Sequence, residues 1–347
     1  MSKLNVIMSM TYFLLIYDKL KITYLFMNQY KHSKKLKVSI LVPIYGTEKY
    51  IKRCAESLFK QTYDNIEFVF VNDATHDNSI SILNEVIKDY PQIENSVKII
   101  NHQKNRGLAA ARITALNNAT GDYIMHVDSD DFLPFDSVDK LVEAANKGNY
   151  DIINGSYQIY SNHKLGNIML PYTKSKDSYI RNMISKLGIV PNNIWGRLIK
   201  KDLYINNNIN AIEGIDFSED YCVLPKLLYY ANITSISDVV YFYNTENLNS
   251  YLHNYSVKSL NSDIKASIEV YNFFLQKKKY LFSAELGMTN LYKVAIENDL
   301  LEQLNKIKFS FNPTFFILWI YKVAILNKLV SRYVFSFASK CYKLFNK

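Results

Sequence analysis

The chain contains the run His126-Val127-Asp128-Ser129-Asp130-Asp131, in which three carboxylates fall within four residues. Residues 123–127 are mostly apolar and are typical of a short buried strand. Ligands of open α/β sheets bind at such strand ends. Crowded carboxylates repel one another unless a cation joins them, and Mg²⁺ or Mn²⁺ prefers oxygen ligands and often binds phosphates as well. Taken alone, the run indicates equally a metal–diphosphate site and a solvated acidic turn.

The composition narrows the class of protein. The 347 residues are 48% hydrophobic and 21% charged, which is typical of a globular chain. The formal net charge of +9 favours an anionic partner. The three cysteines, Cys54, Cys222 and Cys341, are far apart, so we expect neither a disulfide framework nor a zinc site, and a reducing cytoplasm fits best. No segment has 18 uninterrupted apolar residues, so a transmembrane helix is not indicated.

Strands and helices alternate from residue 37 onward. β-Branched and apolar runs predict strands at 38–42, 66–71, 97–100 and 123–127. Helical spacing predicts helices at 48–60, 79–90 and 108–119 between them, then 136–147 and 217–230, with short strands at 151–153 and 239–243. We interpret residues 157–180 as a loop or hairpin and residues from 256 as mostly helical. This alternation predicts an α/β protein with a mainly parallel sheet.

The two ends of the chain differ from this pattern. Residues 1–36 form a leader that could be an interfacial helix, and residues 1–26 could instead reflect a misassigned start. Residues 303–347 contain no Asp or Glu, and their lysines alternate with large apolar residues. This pattern favours contact with an anionic membrane, the alternative being a final helix that covers the core. We do not expect nucleic-acid binding, because no recognition motif accompanies the charge.

Five segments carry a family resemblance. They are Val38-Ser39-Ile40-Leu41-Val42-Pro43-Ile44-Tyr45, Val69-Phe70-Val71-Asn72-Asp73, Asn105-Arg106-Gly107-Leu108-Ala109-Ala110-Ala111-Arg112, Gly121-Asp122-Tyr123 through Asp131, and Phe217-Ser218-Glu219-Asp220. In this order they resemble the inverting family 2 glycosyltransferases, closely over 37–135 and more weakly to about residue 245. The resemblance implies the GT-A fold, which is Rossmann-like with a mainly parallel central sheet and flanking helices, here with a C-terminal helical extension.

The resemblance also implies site residues and a divalent metal, Mn²⁺ or Mg²⁺. Around a nucleotide sugar, commonly a UDP-sugar, it implies Pro43, Tyr45, Asp73, Asn105, Arg112, Asp128, Ser129 and Asp130. Asp130 would coordinate the metal, while Arg112 is equally well interpreted as a structural ion pair. Asp131 is expected to orient the turn.

A pair of acids is the candidate for catalysis. The resemblance makes Asp220 the general base, with Glu219 as its orienting neighbour. The alternative is that both acids simply favour the first turn of a helix. Trp195 and Arg197 lie in a segment similar to one near the acceptor, although Trp195 could fill the core instead.

The sequence departs from the family pattern at two positions. Gly46 stands where Asn is frequent. Asn244 stands where relatives often carry an Arg that contacts phosphate, so another cation would have to serve.

The resemblance divides the chain into the leader at 1–36, a nucleotide-sugar-binding half at 37–135, an acceptor half at 136–255 and a basic helical region at 256–347. It implies sugar transfer to a glycan or lipid-linked acceptor for surface polysaccharide, lipopolysaccharide or capsule, at the inner face of the membrane. Two alternatives remain. One is a catalytically silent scaffold subunit. The other is a sugar-nucleotide pyrophosphorylase, whose usual Gly-rich loop is missing from residues 43–48.

Overall fold

The computed structural model describes residues 35–186, 190–247 and 256–297. Nearly all of the predicted leader and the acid-free residues 303–347 therefore lie outside the described residues. The resemblance also makes His253 a candidate metal ligand, and this residue lies outside them as well. The fold described below belongs to the compact unit that begins at Lys37.

The described unit has eight strands and nine α-helices, with a 3₁₀ turn at Pro91–Ser96. The strands are β1 (Val38–Ile44), β2 (Ile66–Asn72), β3 (Val97–Asn101), β4 (Tyr123–His126), β5 (Ile152–Ser161), β6 (Lys164–Met169), β7 (Arg197–Lys200) and β8 (Ile233–Asn244). The helices are α1 (Ile51–Phe59), α2 (Ser79–Lys88), α3 (Leu108–Asn118), α4 (Ser137–Asn146), α5 (Lys176–Ile184), α6 (Lys201–Asn206), α7 (Glu219–Tyr230), α8 (Val257–Lys277) and α9 (Leu281–Glu297).

The strands form one sheet in the order β3-β2-β1-β4-β7-β5-β6, and β8 also pairs with β5. β1 pairs in parallel with β2 and β4, and β2 pairs in parallel with β3. β7 is antiparallel to both β4 and β5, and β5 is antiparallel to β6. The prediction of an α/β sheet with a parallel core and flanking helices is confirmed for this first half.

The central strands are buried on both faces. All seven residues of β1 are buried, which explains its continuous apolar run. Pro43 lies within this central strand although proline cannot donate a hydrogen bond. The pairing with β4 ends at Leu41, two residues earlier, so no ladder bond to β4 is lost there. Because β1 pairs in parallel with both β2 and β4, the carboxyl ends of these three strands lie together at one edge of the sheet.

The second half of the sheet differs most from the sequence-based expectation. β5 and β8 are much longer than the predicted strands at 151–153 and 239–243. Most of their residues are only partly buried, so no continuous apolar run marks them. The segment interpreted as a loop or hairpin is a hairpin of β5 and β6 followed by α5. Asn162 and His163 both have positive φ at its tip, as a type I′ turn requires.

The C-terminal helices α8 and α9 pack beside α7 and α5. Their buried face includes Leu260, Ile264 and Phe274, which join the main core cluster. In the part of the chain that is described, no helix has the length and apolar character needed to cross a bilayer. The same residues include Cys54 and Cys222, which are buried free thiols.

Candidate functional site

Asp131 anchors the acidic turn after β4. Its Oδ2 accepts a hydrogen bond from the Tyr241 hydroxyl at 2.7 Å, and its Oδ1 accepts one from the backbone N–H of Asn244 at 2.7 Å. Its own N–H donates to the carbonyl of Asp128 at 3.0 Å. Burial raises the pKa of Asp131 well above its ordinary value, with the neighbouring acids adding to the effect. These contacts support the orienting role expected for Asp131.

Asp130 lies on the same turn and accepts fewer hydrogen bonds. Its Oδ2 accepts from Asn247 Nδ2 at 2.8 Å. Burial, and then the charge of Asp128, raise the pKa of Asp130 to about 6. Ser129 is buried between the two acids. A cation bound at this turn would offset both unfavourable effects.

Asn244 holds the acidic turn from the end of β8. Besides its backbone contact with Asp131, its Nδ2 donates to the Asp130 carbonyl at 3.0 Å. The Asn244 side chain therefore has a structural role, at the position where the resemblance led us to expect a phosphate-binding arginine.

Arg112 joins the acidic turn to the predicted catalytic acids. Its buried Nη2 lies 3.0 Å from Asp128 Oδ1. The same atom lies 3.3 Å from Glu219 Oε1 and 3.7 Å from Asp220 Oδ1. Burial disfavours its charged form, but the three carboxylates, with Asp128 the strongest, raise the pKa of Arg112 above its ordinary value. The ion-pair interpretation of Arg112 is confirmed, and its contact with a nucleotide stays a prediction.

Glu219 and Asp220 form the first turn of α7, where acids interact favourably with the helix dipole. Asp220 Oδ2 accepts a hydrogen bond from the Ile194 N–H at 2.9 Å. Burial raises the pKa of both acids. The preceding Ser218 has a φ of 65°, and its hydroxyl donates to Asp263 at 2.8 Å, which fixes where α7 begins.

Asp73 organises the loop that enters α3. Its two oxygens accept from the N–H groups of Arg106 at 2.9 Å and Gly107 at 2.8 Å. His102 Nδ1 lies 2.6 Å from Asp73 Oδ1. A carboxylate has about four lone-pair sites, so these contacts leave room for one more donor, such as a nucleotide base.

Asp216 supports the same loop from the other side. Its Oδ1 accepts from the N–H of Ala109 at 3.1 Å. Gly107 has a φ of +92°, and a Cβ there would lie 2.3 Å from Asp216 Oδ1, so only glycine fits. Asn105 is exposed just before this loop. Sequence reasoning missed both His102, whose ring contacts the side chains of Asp73 and Thr114, and Asp216, which holds a backbone amide. Neither kind of contact leaves a spacing signal.

Pro43 and Tyr45 lie at the end of β1, with Pro43 buried and Tyr45 50% exposed. Gly46 follows with a φ of +68°, and its N–H donates to Thr75 Oγ1 at 2.9 Å. Glycine and asparagine are the residues that best tolerate this left-handed conformation. The departure from the family pattern at Gly46 is therefore conformationally neutral.

Trp195 and Arg197 are buried and make interior contacts. The Trp195 ring stacks on Tyr241 with centroids 4.4 Å apart and on Tyr243 at 5.3 Å. Arg197 Nη1 donates to Asn154 Oδ1 at 2.7 Å. These contacts favour packing for both residues, and their acceptor role stays a prediction.

The acidic turn offers few protein ligands to a metal. Within the described ranges, no group of three or more His, Cys, Asp or Glu side chains could hold one. Mg²⁺ is commonly bound by one or two carboxylates together with substrate phosphates. Asp130, whose pKa is raised first by burial and then by the charge of Asp128, fits a metal shared with a diphosphate.

Comparison with known proteins tests the family resemblance seen in the sequence. The model described as Glycosyl transferase family 2 matches residues 39–204. Glycosyltransferase GlyG of Streptococcus pneumoniae is 30% identical over 217 residues, which are 58% of this chain and 68% of the relative. Glycosyltransferase GlyA of the same organism is 34% identical over 181 residues, 48% of this chain and 25% of the relative. Chondroitin synthase of Escherichia coli is 35% identical over 150 residues, 38% of this chain and 21% of the relative. The chain thus spans 68% of the length of GlyG but only 25% of GlyA and 21% of chondroitin synthase.

Solved structures agree on the fold. The crystal structure of S. aureus TarS 1–349 in complex with UDP-GlcNAc has a TM-score of 0.59 at 17% identity, covering 89% of this chain and 92% of that one. The mannosyltransferase PcManGT from Pyrobaculum calidifontis, in complex with GDP-Man and Mn²⁺, has a TM-score of 0.51 at 16% identity, covering 91% of this chain and 89% of that one. The chain therefore has the GT-A fold and belongs to glycosyl transferase family 2, as the order of its motifs predicted.

Proposed function

We propose that this chain transfers a sugar from a UDP-sugar to a hydroxyl of a glycan or lipid-linked acceptor, with inversion and with the help of a divalent metal. One observation carries the proposal: Arg112 Nη2 lies within 3.7 Å of carboxylates from both the acidic turn and the start of α7. The predicted donor and acceptor halves of the site therefore meet at one guanidinium.

The donor half comprises Pro43, Tyr45, Asp73 and the acidic turn. In this proposal Tyr45, half exposed at the end of β1, stacks against the base, and Asp73 accepts a hydrogen bond from it. UDP is favoured because the TarS structure is in complex with UDP-GlcNAc. PcManGT is bound to GDP-Man, so the nucleotide must be tested directly.

Asp130 would hold Mn²⁺ or Mg²⁺, and Asp128 beside it would hold the ribose side of the nucleotide. When bound together with the donor diphosphate, such an ion acts as a Lewis acid that stabilises the negative charge of the leaving group. Asn247 and Asn244 keep the Asp130 side chain and carbonyl in place.

The acceptor half supplies the base. The incoming hydroxyl is a weak nucleophile, so Asp220 takes its proton while the new C–O bond forms. The Ile194 N–H and Arg112 hold the carboxylate from two sides. Because burial raises the pKa of Asp220, its carboxylate is a stronger base than an exposed one. In-line attack from this side inverts the anomeric centre, which is oxocarbenium-like as in glycoside hydrolysis.

We further propose that the product is a surface polysaccharide and that the enzyme works on the inner face of the membrane. The similarity to chondroitin synthase supports a polymeric acceptor. The basic, apolar residues 303–347 would provide contact with anionic lipid. Co-sedimentation with vesicles of anionic lipid and with vesicles of neutral lipid tests this contact. We expect the protein to bind the anionic vesicles and not the neutral ones.

The experiment is a donor screen. UDP or GDP release is measured with Mn²⁺ for a panel of nucleotide sugars, first with the wild-type chain and then with Asp220→Asn. We expect one donor class to be turned over and Asp220→Asn to lower kcat about 10³-fold, as loss of a general base does. Asp89→Asn, at an exposed helix end, is the matched control and should retain activity.

Two outcomes would contradict parts of the proposal. Full transfer activity in Asp220→Asn would show that Asp220 is not the base. UDP binding without turnover of any donor would favour the catalytically silent scaffold.

A further inference from the structure

A small cavity lies behind the catalytic acids, between α3, β4, α6 and α7. Its polar lining consists of Arg112, His126, Tyr204, Asn210, Glu219 and Asp220. Apolar side chains, among them Leu116 and Val223, complete the wall. The cavity thus touches the residues that join the two halves of the site, on the side formed by the helices.

Buried polar atoms on this lining lack hydrogen-bond partners among the residues that the structure describes. They are Arg112 Nε, Arg112 Nη1, His126 Nδ1 and Asp220 Oδ1. Asp220 Oδ1 is ion-paired with Arg112 Nη2, but the 3.7 Å between these atoms is too long for a hydrogen bond. An unpaired buried polar atom costs about 1–3 kcal/mol, and native proteins rarely tolerate several in one place. Two of these atoms donate, one accepts, and the imidazole nitrogen does either.

The charges around the cavity exclude ionic ligands. Glu219 and Asp220 repel an anion, and Arg112 repels a cation. The space between the walls is about the size of one water molecule, so a larger molecule does not fit. These atoms are satisfied by a small neutral ligand that both donates and accepts hydrogen bonds. Water has these properties.

We propose that ordered water fills this cavity and links His126 and Arg112 to Asp220 Oδ1, so that His126 acts as a positioning residue for the base. The positioning role rests on the proposed function, whereas the water site does not. Asp220 Oδ2 already accepts from Ile194, so water at Oδ1 fixes the second oxygen of the carboxylate.

His126 is suited to this positioning role because its Nε2 already has a hydrogen-bond partner. Its Nε2 lies 3.1 Å from the Tyr204 hydroxyl, which fixes the ring orientation. Burial, reinforced by Arg112, lowers the pKa of His126 well below its ordinary value, so the ring is neutral. A neutral imidazole held at Nε2 presents Nδ1 to the cavity without adding a charge beside Arg112.

The first test is a crystal structure of the wild-type chain that resolves ordered water. We expect density within hydrogen-bond distance of His126 Nδ1 and Asp220 Oδ1. A dry cavity with well-ordered walls would overturn the proposal whatever the enzyme does. This readout stays decisive even if no donor is turned over, so failure of the proposed function is distinguished from failure of the water site.

The second test concerns positioning. His126→Leu should lower kcat about tenfold with KM for the donor unchanged, as loss of one orienting hydrogen bond does. His126→Asn, whose amide can still bind water, should recover most of that loss. Equal kcat in wild type and His126→Leu, or an equal loss in both variants, would refute the positioning role.

A cavity-filling pair provides the matched control. Val223→Ile adds a methylene to the cavity wall and should displace water and lower kcat in the same way. Val86→Ile makes the same change at a buried position of α2 and should leave kcat unchanged. If Val223→Ile keeps wild-type kcat although its crystal structure lacks the water, water at Asp220 is not needed and the proposal is wrong.

Discussion

Two edges of the same sheet hold carboxylates in opposite environments. At the amino edge, Glu67 accepts from Ser39 Oγ at 2.5 Å and from Thr120 Oγ1 at 2.7 Å. Lys37 and Lys98 each place an ammonium 3.2 Å from the same side chain. At the carboxyl edge, Asp128, Glu219 and Asp220 share the single guanidinium of Arg112.

The difference appears in the pKa values. Burial alone would raise the pKa of Glu67, but hydrogen bonds from Ser39, Thr120 and Lys37 lower it to about 2. At the other edge burial prevails, and the pKa values of Asp130, Glu219 and Asp220 are raised. An acid enclosed by donors stabilises the fold, whereas acids with too few donors are poised to bind a cation or accept a proton.

The largest expected effect comes from removing the shared cation. Arg112→Met leaves Asp128, Glu219 and Asp220 without their counter-charge and should lower the free energy of unfolding by about 3 kcal/mol. We also expect kcat to fall about 100-fold, because the base loses one of its two supports. Urea unfolding and the donor assay measure the two effects.

Arg106→Met is the control for this change. Arg106 pairs with Glu213 at the surface, so its loss should alter stability much less. If Arg112→Met unfolds at the wild-type urea concentration, the carboxyl edge does not depend on this cation and the comparison fails.

The second effect is at the amino edge. Glu67→Gln weakens charge-assisted hydrogen bonds and should cost about 2 kcal/mol of stability at pH 7 while kcat stays unchanged. The folded pKa of about 2 is below the ordinary value of 4.5, so the charge stabilises the fold above pH 4.5. This contribution is lost as the pH falls from 4.5 towards 2, and the gap between variant and wild type should narrow there.

Exposed Glu94 gives the control for Glu67. Glu94→Gln should match the wild type in urea unfolding at every pH from 7 to 3. A gap between Glu67→Gln and wild type that does not narrow below pH 4.5 would mean that the charge of Glu67 is not what stabilises this edge.

The third effect has the opposite sign. Because the pKa of Asp130 is raised to about 6 from 3.8, the folded state holds that proton more tightly than the unfolded state. Its contribution to stability is therefore full below pH 3.8 and is lost as the pH rises through 6. The shift alone corresponds to about 3 kcal/mol, and solvent screens this effect at the partly exposed Asp130. Asp130→Asn should therefore be more stable than wild type by about 1 kcal/mol at pH 8 and equal to it near pH 4. Thermal unfolding at both pH values measures the difference, with Asp89→Asn as the surface control.

The smallest effect concerns the exposed end of β1. Tyr45→Ala should raise the dissociation constant for UDP about fivefold by removing a stacking surface, with no change in stability. Isothermal titration calorimetry measures the affinity. Phe282→Ala, at an exposed aromatic of α9, should bind UDP as the wild type does. Unchanged affinity in Tyr45→Ala would remove Tyr45 from the donor pocket.

The sequence predicted the parallel half of the sheet well, and for a physical reason. Strands buried on both faces are continuous apolar runs, and the helices between them show one apolar face. β5 and β8 were predicted too short because their residues are only partly buried and mix polar with aromatic side chains. Such strands are specified by their partners and not by their own pattern.

The candidate site was predictable in its parts but not in its connections. The order of motifs pointed to Asp128 and Asp220, although 92 positions separate them in the chain. Only the folded geometry shows that Arg112 touches both. Asp216 could not have been found by pattern, because its partner is the backbone N–H of Ala109.

The β6 hairpin has a consequence for the protein in concentrated solution. All six residues of β6 are exposed, including Leu165 and Ile168, and among the described strands it pairs with β5 alone. Its outer rim therefore presents a backbone ladder and an apolar stripe that can template strand addition by another molecule. We expect reversible, concentration-dependent self-association through this rim, and Ile168→Lys should suppress it.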